Sequence, residues 1–118
     1  MDMSARRAFT AFLTLGTALA ASAPASAGTR AYISNERSST VSVVDLESRA
    51  IVAEWPVGQR PRGIALTRDG KYLLICASLD NAVEVRDPAT GALVRTLPSG
   101  ADPEQFFPAF DGRYLFVA

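Results

Sequence analysis

From residue 29 onward, apolar side chains recur at every second position in short runs, the period of a strand with one buried face. Nine such runs read as strands: TRAYISN (29–35), TVSVVD (40–45), RAIVAEWPV (49–57), GIALT (63–67), KYLLICAS (71–78), AVEVRD (82–87), ALVRTLP (92–98), EQFFPAF (104–110) and RYLFVA (113–118). Turn residues separate them. Asp69-Gly70 and Asp111-Gly112 mark tight hairpins, because glycine accepts the positive φ such loops require. Asp45 and Asp87 end their strands where a carboxylate can bond the backbone N–H groups of the next turn. Pro108 lies inside EQFFPAF, so a ladder bond is lost there and a bulge is expected.

The pattern repeats. Displacing the sequence by 42 residues without a gap superposes Val41 on Val83, Val43 on Val85, Asp45 on Asp87, Ala50 on Ala92 and Val52 on Val94. It also superposes Pro56 on Pro98, Gly58 on Gly100, Pro61 on Pro103, Asp69-Gly70 on Asp111-Gly112 and Tyr72-Leu73 on Tyr114-Leu115. A period of about 40–45 residues made of four strands is the signature of a β-propeller blade. The strands fall three, four and two: blade one over 29–57, blade two over 62–98 and the start of blade three over 104–118. The expected fold is therefore all-β, a partial β-propeller over 28–118. Closed propellers have about four to eight blades, so the expectation is an N-terminal fragment of roughly two blades plus part of a third. Its last strand would leave Leu115-Phe116-Val117 on an open edge.

The first 27 residues read as an address. Arg6 and Arg7 precede an uncharged run rich in Ala, Ser and Thr, too short for the ~20 residues of a membrane-spanning helix. Ala25 and Ala27 form a small-x-small site, so a secretory signal peptide over 1–27 is expected, cleaved before Gly28. The quartet Arg6 to Phe9 resembles part of a twin-arginine signal, although Ala5, Thr10 and Ala11 depart from that pattern. The expected location is periplasmic or secreted, without stable membrane insertion after cleavage.

Composition narrows the chemistry. Basic and acidic residues balance at 12 each, which supplies no broad field for nucleic acid or an anionic membrane. There is no histidine, which excludes His-ligated metal or haem and Ser-His or Cys-His catalysis within these residues. Cys76 is the single cysteine. Its equivalents one period away are Ser34 and Ala118, so a small buried side chain is expected there. The acids form no metal-loop spacing, and no metal or other cofactor is expected.

YISN (32–35), then TVSVVD, then VGQRPRGIALTRDGKYLLICAS (57–78) resemble the YVTN-type propeller repeat: strand, V-x-V-x-D strand, V-G-x-x-P, strand, D-G-K. RPRGIAL, ICAS and SGADPEQF are most similar to secreted seven-bladed propellers associated with pyrroloquinoline-quinone-dependent alcohol catabolism. YISN and LICA stand where the family has YVTN. The resemblance implies a non-enzymatic binding or accessory role, with a possible protein partner in a quinoprotein or transport system. It brings no catalytic residue.

In propellers the fourth-to-first crossovers and second-to-third loops share the face around the channel mouth. Arg60 and Arg62 occupy one crossover, and Asp102 and Glu104 occupy the next, one period later. These four are the candidate ligand or partner rim; the plainer reading is an inter-blade salt bridge such as Arg62–Glu104. Trp55 is expected to pack. Tyr72 and Tyr114 are expected to fill between blades with bonded hydroxyls, stacking on a quinone or sugar being the alternative. Glu84 and Arg86 share a strand face and are expected at a rim. Two rival functions stay open: a lactonase- or quinoprotein-type enzyme whose catalytic residues lie on other blades, and a small oligomeric ligand-binding propeller.

Overall fold

The computed structural model describes residues 28–118, and the expected signal peptide lies outside the described residues. Nine strands form: β1 (Arg30–Asn35), β2 (Thr40–Asp45), β3 (Ala50–Pro56), β4 (Pro61–Leu66), β5 (Leu73–Ala77), β6 (Ala82–Arg86), β7 (Leu93–Pro98), β8 (Phe106–Pro108) and β9 (Leu115–Val117). They make three antiparallel meanders, ordered β1-β2-β3, β4-β5-β6-β7 and β8-β9. A 3-10 turn, Ser78–Asp80, joins β5 to β6.

The turns work through their aspartates. Asp45 Oδ1 accepts from the N–H groups of Glu47 (3.0 Å) and Ser48 (2.8 Å) and from the Ser48 hydroxyl. Asp87 Oδ1 accepts from Ala89 N–H at 2.7 Å, and Asp69 and Asp111 accept from Lys71 and Arg113 N–H in the two hairpins. Gly70 and Gly112 sit at φ 70° and 67° with open space where a Cβ would be, so their requirement is conformational and not steric.

The repeat extends to irregularities. The β2–β3 pairing slips between Val43 and Val44, leaving Val52 extra, and the β6–β7 pairing slips between Val85 and Arg86, leaving Val94 extra. Val52 and Val94 are one period apart, and each bulge adds local twist to its outer strand. The bulge expected at Pro108 does not form. Gln105 and Ala118 exchange backbone bonds and Ala109 N–H donates to Tyr114, so Pro108 opposite Leu115 falls at a non-hydrogen-bonded pair. Its missing N–H costs the ladder nothing.

Two apolar layers join the sheets. Between the first and second lie Tyr32, Val41, Trp55, Ile64, Leu73 and Ile75. Between the second and third lie Leu74, Val83, Leu97, Phe106, Leu115 and Val117, each 42 residues after its counterpart in the first layer. β5 therefore sends Leu73 and Ile75 to one neighbour and Leu74 and Cys76 to the other, which is why it reads as an unbroken apolar run. Burial of this kind contributes about 25 cal/mol per Å² of apolar surface.

The first layer has a lock. The Trp55 ring covers Gly91 so closely that a Cβ there would lie 2.2 Å from Trp55 Cδ2. Tyr32 packs beside it, ring centroids 6.0 Å apart, and donates its hydroxyl to the Pro88 carbonyl at 2.9 Å. Under this turn, Glu84 and Arg86 are buried, not at a rim as their charge suggests. Arg86 Nε donates to Glu84 Oε2 at 2.7 Å and another guanidinium nitrogen to Oε1 at 3.1 Å. Its third bond goes to the Gly91 carbonyl at 2.7 Å. The pair lies on the β6 face that meets the first sheet, with Glu84 Oε1 3.0 Å from where a Gly58 Cβ would be. Burial is tolerated because every charged atom has a partner.

Gly91→Ala should cost about 2 kcal/mol or more, through the clash and a φ of 76°. Trp55→Leu in the same chain should recover the steric part, because Leu97 occupies that position one period on. Urea unfolding of the two single variants and the double variant checks this. Arg86→Met alone should cost roughly 3–5 kcal/mol by stranding Glu84, and joint replacement of both by apolar residues markedly less; the same unfolding measurement decides.

Candidate functional site

The turn between β1 and β2, the Ser78–Asp80 turn and the crossovers from β3 to β4 and β7 to β8 share one face. Arg60 and Asp102, one period apart, hold left-handed backbone at φ 54° and 49°, and so do Ser39 and Asn81 at 55° and 54°. Such conformations cost a non-glycine residue of order 1 kcal/mol or more and persist where neighbours hold them. Here the neighbours are each other. Arg60 N–H donates to Ser39 Oγ (3.3 Å) and Asp102 N–H to Asn81 Oδ1 (3.0 Å), the same bond one repeat later.

Further bonds fix the backbone between sheets. The Ser34 hydroxyl donates to the Arg62 carbonyl at 2.8 Å, and the buried Ser78 hydroxyl donates to the Pro103 carbonyl at 2.9 Å. Gly63 N–H donates to the Glu104 carbonyl at 2.9 Å, and a Cβ at Gly63 would come just as close to that oxygen, so only glycine permits the approach.

On this frame the four rim residues meet. Arg60 lies 3.3 Å from Asp102 Oδ1, and Arg62 pairs with Glu104. Both arginines also engage Glu36 Oε1, Arg60 through Nε at 2.8 Å and Arg62 at 3.4 Å. Glu36 was not among the residues singled out from sequence. Its counterpart one period on is Ser78, so aligning the repeats hides its charge; its place in a second-to-third loop was the available signal. The hydrogen bond from Arg60, foremost, holds the Glu36 carboxyl below its ordinary value, with Arg62's charge assisting against partial desolvation. Ser34, Glu36, Pro61, Arg62, Glu104 and Gln105 line an open cavity of about 290 Å³ beside the network.

The other candidates sit elsewhere. Cys76 is buried, and burial pushes its thiol up, the condition of an unreactive cysteine. Tyr72 and Tyr114 do not fill between sheets: both are exposed, on the rim of a cavity over the second apolar layer, and neither hydroxyl bonds a partner among the described residues. Each directly follows a hairpin turn, where the chain has left the buried strand. Among the described residues no group of three or more Cys, Asp or Glu is placed to hold a metal. What the rim offers is charge of both signs on a rigid frame, suited to recognition through ion pairs and hydrogen bonds.

No family model and no curated relative matches the chain. Solved structures do. Hydrazine synthase of Kuenenia stuttgartiensis is similar over 75% of this chain and 25% of its own, at 27% identity and a TM-score of 0.70. A putative 6-phosphogluconolactonase of Bacteroides uniformis is similar over 74% and 29%, at 26% identity and a TM-score of 0.57. The dihydro-heme d1 dehydrogenase NirN is similar over 73% and 18%, at 18% identity and a TM-score of 0.62, which bears on fold alone. The fold is a β-propeller. The chain spans about a quarter of the length of these proteins, and its three sheets are successive blades.

Glu36 should titrate below 4.5, and Arg60→Gln should return it toward that value, measured by carboxyl-carbon NMR. Because its folded value is depressed, its contribution to stability is complete above 4.5 and disappears as pH falls through the folded value.

Proposed function

We propose that this chain belongs to a non-enzymatic, exported β-propeller that binds a partner through the rim of its channel face, as an accessory to a quinoprotein pathway of alcohol catabolism. The observation that carries the binding reading is the network of Glu36, Arg60, Arg62, Asp102 and Glu104. It draws charged groups from three consecutive blades onto one face, two of them on strained backbone. A salt bridge serving only packing needs no such expenditure, since exposed pairs contribute about 0–1 kcal/mol each. Export rests on the expected signal peptide, and the quinoprotein link on the resemblance of RPRGIAL, ICAS and SGADPEQF.

A second reading has an observation of its own. The likeness to a putative 6-phosphogluconolactonase, at 26% identity, supports a lactonase-type enzyme with its catalytic groups on other blades.

Two measurements separate the readings. Surface plasmon resonance against a quinoprotein alcohol dehydrogenase of the same source should show salt-sensitive binding by the wild-type chain. The Arg60→Glu, Arg62→Glu variant should bind at least about tenfold more weakly with an unchanged circular dichroism spectrum. Hydrolysis of 6-phosphogluconolactone by the propeller, with no binding to the dehydrogenase, would replace the first reading with the second. Export is checked by mass spectrometry of the periplasmic fraction, where the chain should begin at Gly28.

A further inference from the structure

The outer edge of β9 and the apolar cavity beside it have an internal template. In the second blade, the strand equivalent to β9 is β5, and the β6–β7 hairpin covers it on the outer side. That hairpin carries Gly91 and the Pro88 carbonyl, on which Trp55 and Tyr32 of the preceding blade close. One period on, Leu97 and Leu74 occupy the places of Trp55 and Tyr32, and they face a cavity of about 510 Å³. Among the described residues no strand pairs with the outer edge of β9. Ala118 bonds toward β8, and by the antiparallel alternation so does Phe116, which leaves the N–H and C=O groups of Leu115 and Val117 at the open edge. Phe116 and Phe110 are exposed nearby. Arg68, Arg95 and Arg113 border the cavity, and none has a carboxylate within 4.0 Å among the described residues.

We propose that this edge is a docking site for a β-hairpin supplied in trans, with the form of β6–β7: a V-x-V-x-D strand, an acidic Asp-Pro turn and a second strand. Three observations select that occupant. The free N–H and C=O groups of Leu115 and Val117 require a strand, since augmentation of an open edge satisfies them in one step. The cavity floor, Leu74, Val85 and Leu97, is the period-shifted copy of a surface that such a hairpin already covers in this molecule. The unpaired arginines suit a turn that carries an aspartate.

The test uses a synthetic peptide of residues 82–98, added to the purified chain and followed by fluorescence anisotropy. The expected result is saturable one-to-one binding, weakened at least about tenfold when the amides at the Glu84 and Arg86 positions are N-methylated. Those amides face β5 in the parent sheet and would face β9 in the complex, whereas the bonds internal to the hairpin are left intact. Val117→Pro, which removes one edge donor, should weaken binding of the unmodified peptide without changing the strand content of the chain. Grafting the first interface onto the second by Leu74→Tyr with Leu97→Trp should tighten binding of the same peptide, because its turn glycine then meets its usual ring. Absence of binding to the wild-type chain, or equal binding of the methylated peptide, overturns the proposal.

Discussion

A blade of this molecule cannot be stable by itself, because β5 has apolar side chains on both faces and a sheet one strand thick can hide neither. Leu73 and Ile75 need the first sheet, and Leu74 and Cys76 need the third. Everything else follows from keeping that alternation in step from blade to blade. A slip of one residue in β5 would exchange its two faces, placing Leu74 against Val41 and Leu73 against Phe106. Tight hairpins at Asp69-Gly70 and Asp111-Gly112 and bulges at Val52 and Val94, at fixed spacing, prevent the slip. In a repeat architecture, stability is approximately the sum of such units and the interfaces between them, so each nearest-neighbour layer contributes on its own account.

The two layers solve the same problem with different side chains. In the first, Tyr32 and Trp55 are large, and the facing turn answers with Gly91, the residue that lets the ring approach. In the second, Leu74 and Leu97 are smaller, and space remains. Volume is thus matched across a blade boundary and not within a blade, so a ring of unlike repeats can specify which blade follows which. The buried Glu84–Arg86 pair acts in the same direction. It does little for net stability, since desolvation offsets most of its Coulomb energy. Its third hydrogen bond, to the Gly91 carbonyl, holds the turn in the position that Trp55 requires.

The strand pattern was legible because turn chemistry and two-residue periodicity both repeat at 42, and agreement between independent local signals is what specifies a fold. Departures arise where the tertiary neighbour decides. Glu84 and Arg86 look like surface residues in AVEVR, because nothing local says that the preceding blade lies against them. Tyr72 and Tyr114 look like core residues, because the sequence does not show that the chain has already turned out of the sheet. Pro108 looks disruptive until the hydrogen-bonding phase of its pairing is known. At the rim, Arg60, Arg62, Asp102 and Glu104 could be found because they repeat with inverted sign, whereas Glu36 could not because its counterpart Ser78 is neutral.

The same inversion constrains how the rim can bind anything. Both arginines already share Glu36 Oε1, and each has a second carboxylate on the next crossover. Three acids against two guanidiniums leave the cluster slightly negative, so a bare anion meets an occupied and repulsive site. A partner must instead exchange ion pairs, presenting a cation to Glu36, Asp102 or Glu104 or a carboxylate that displaces one of them. Exchange of exposed pairs yields little net free energy and is screened within about 8–10 Å at physiological salt. Recognition by this surface therefore depends on the fixed backbone beneath it. The bonds from Ser39, Asn81, Ser34 and Ser78 hold the charges in place before a partner arrives, which lowers the ordering entropy that binding must offset.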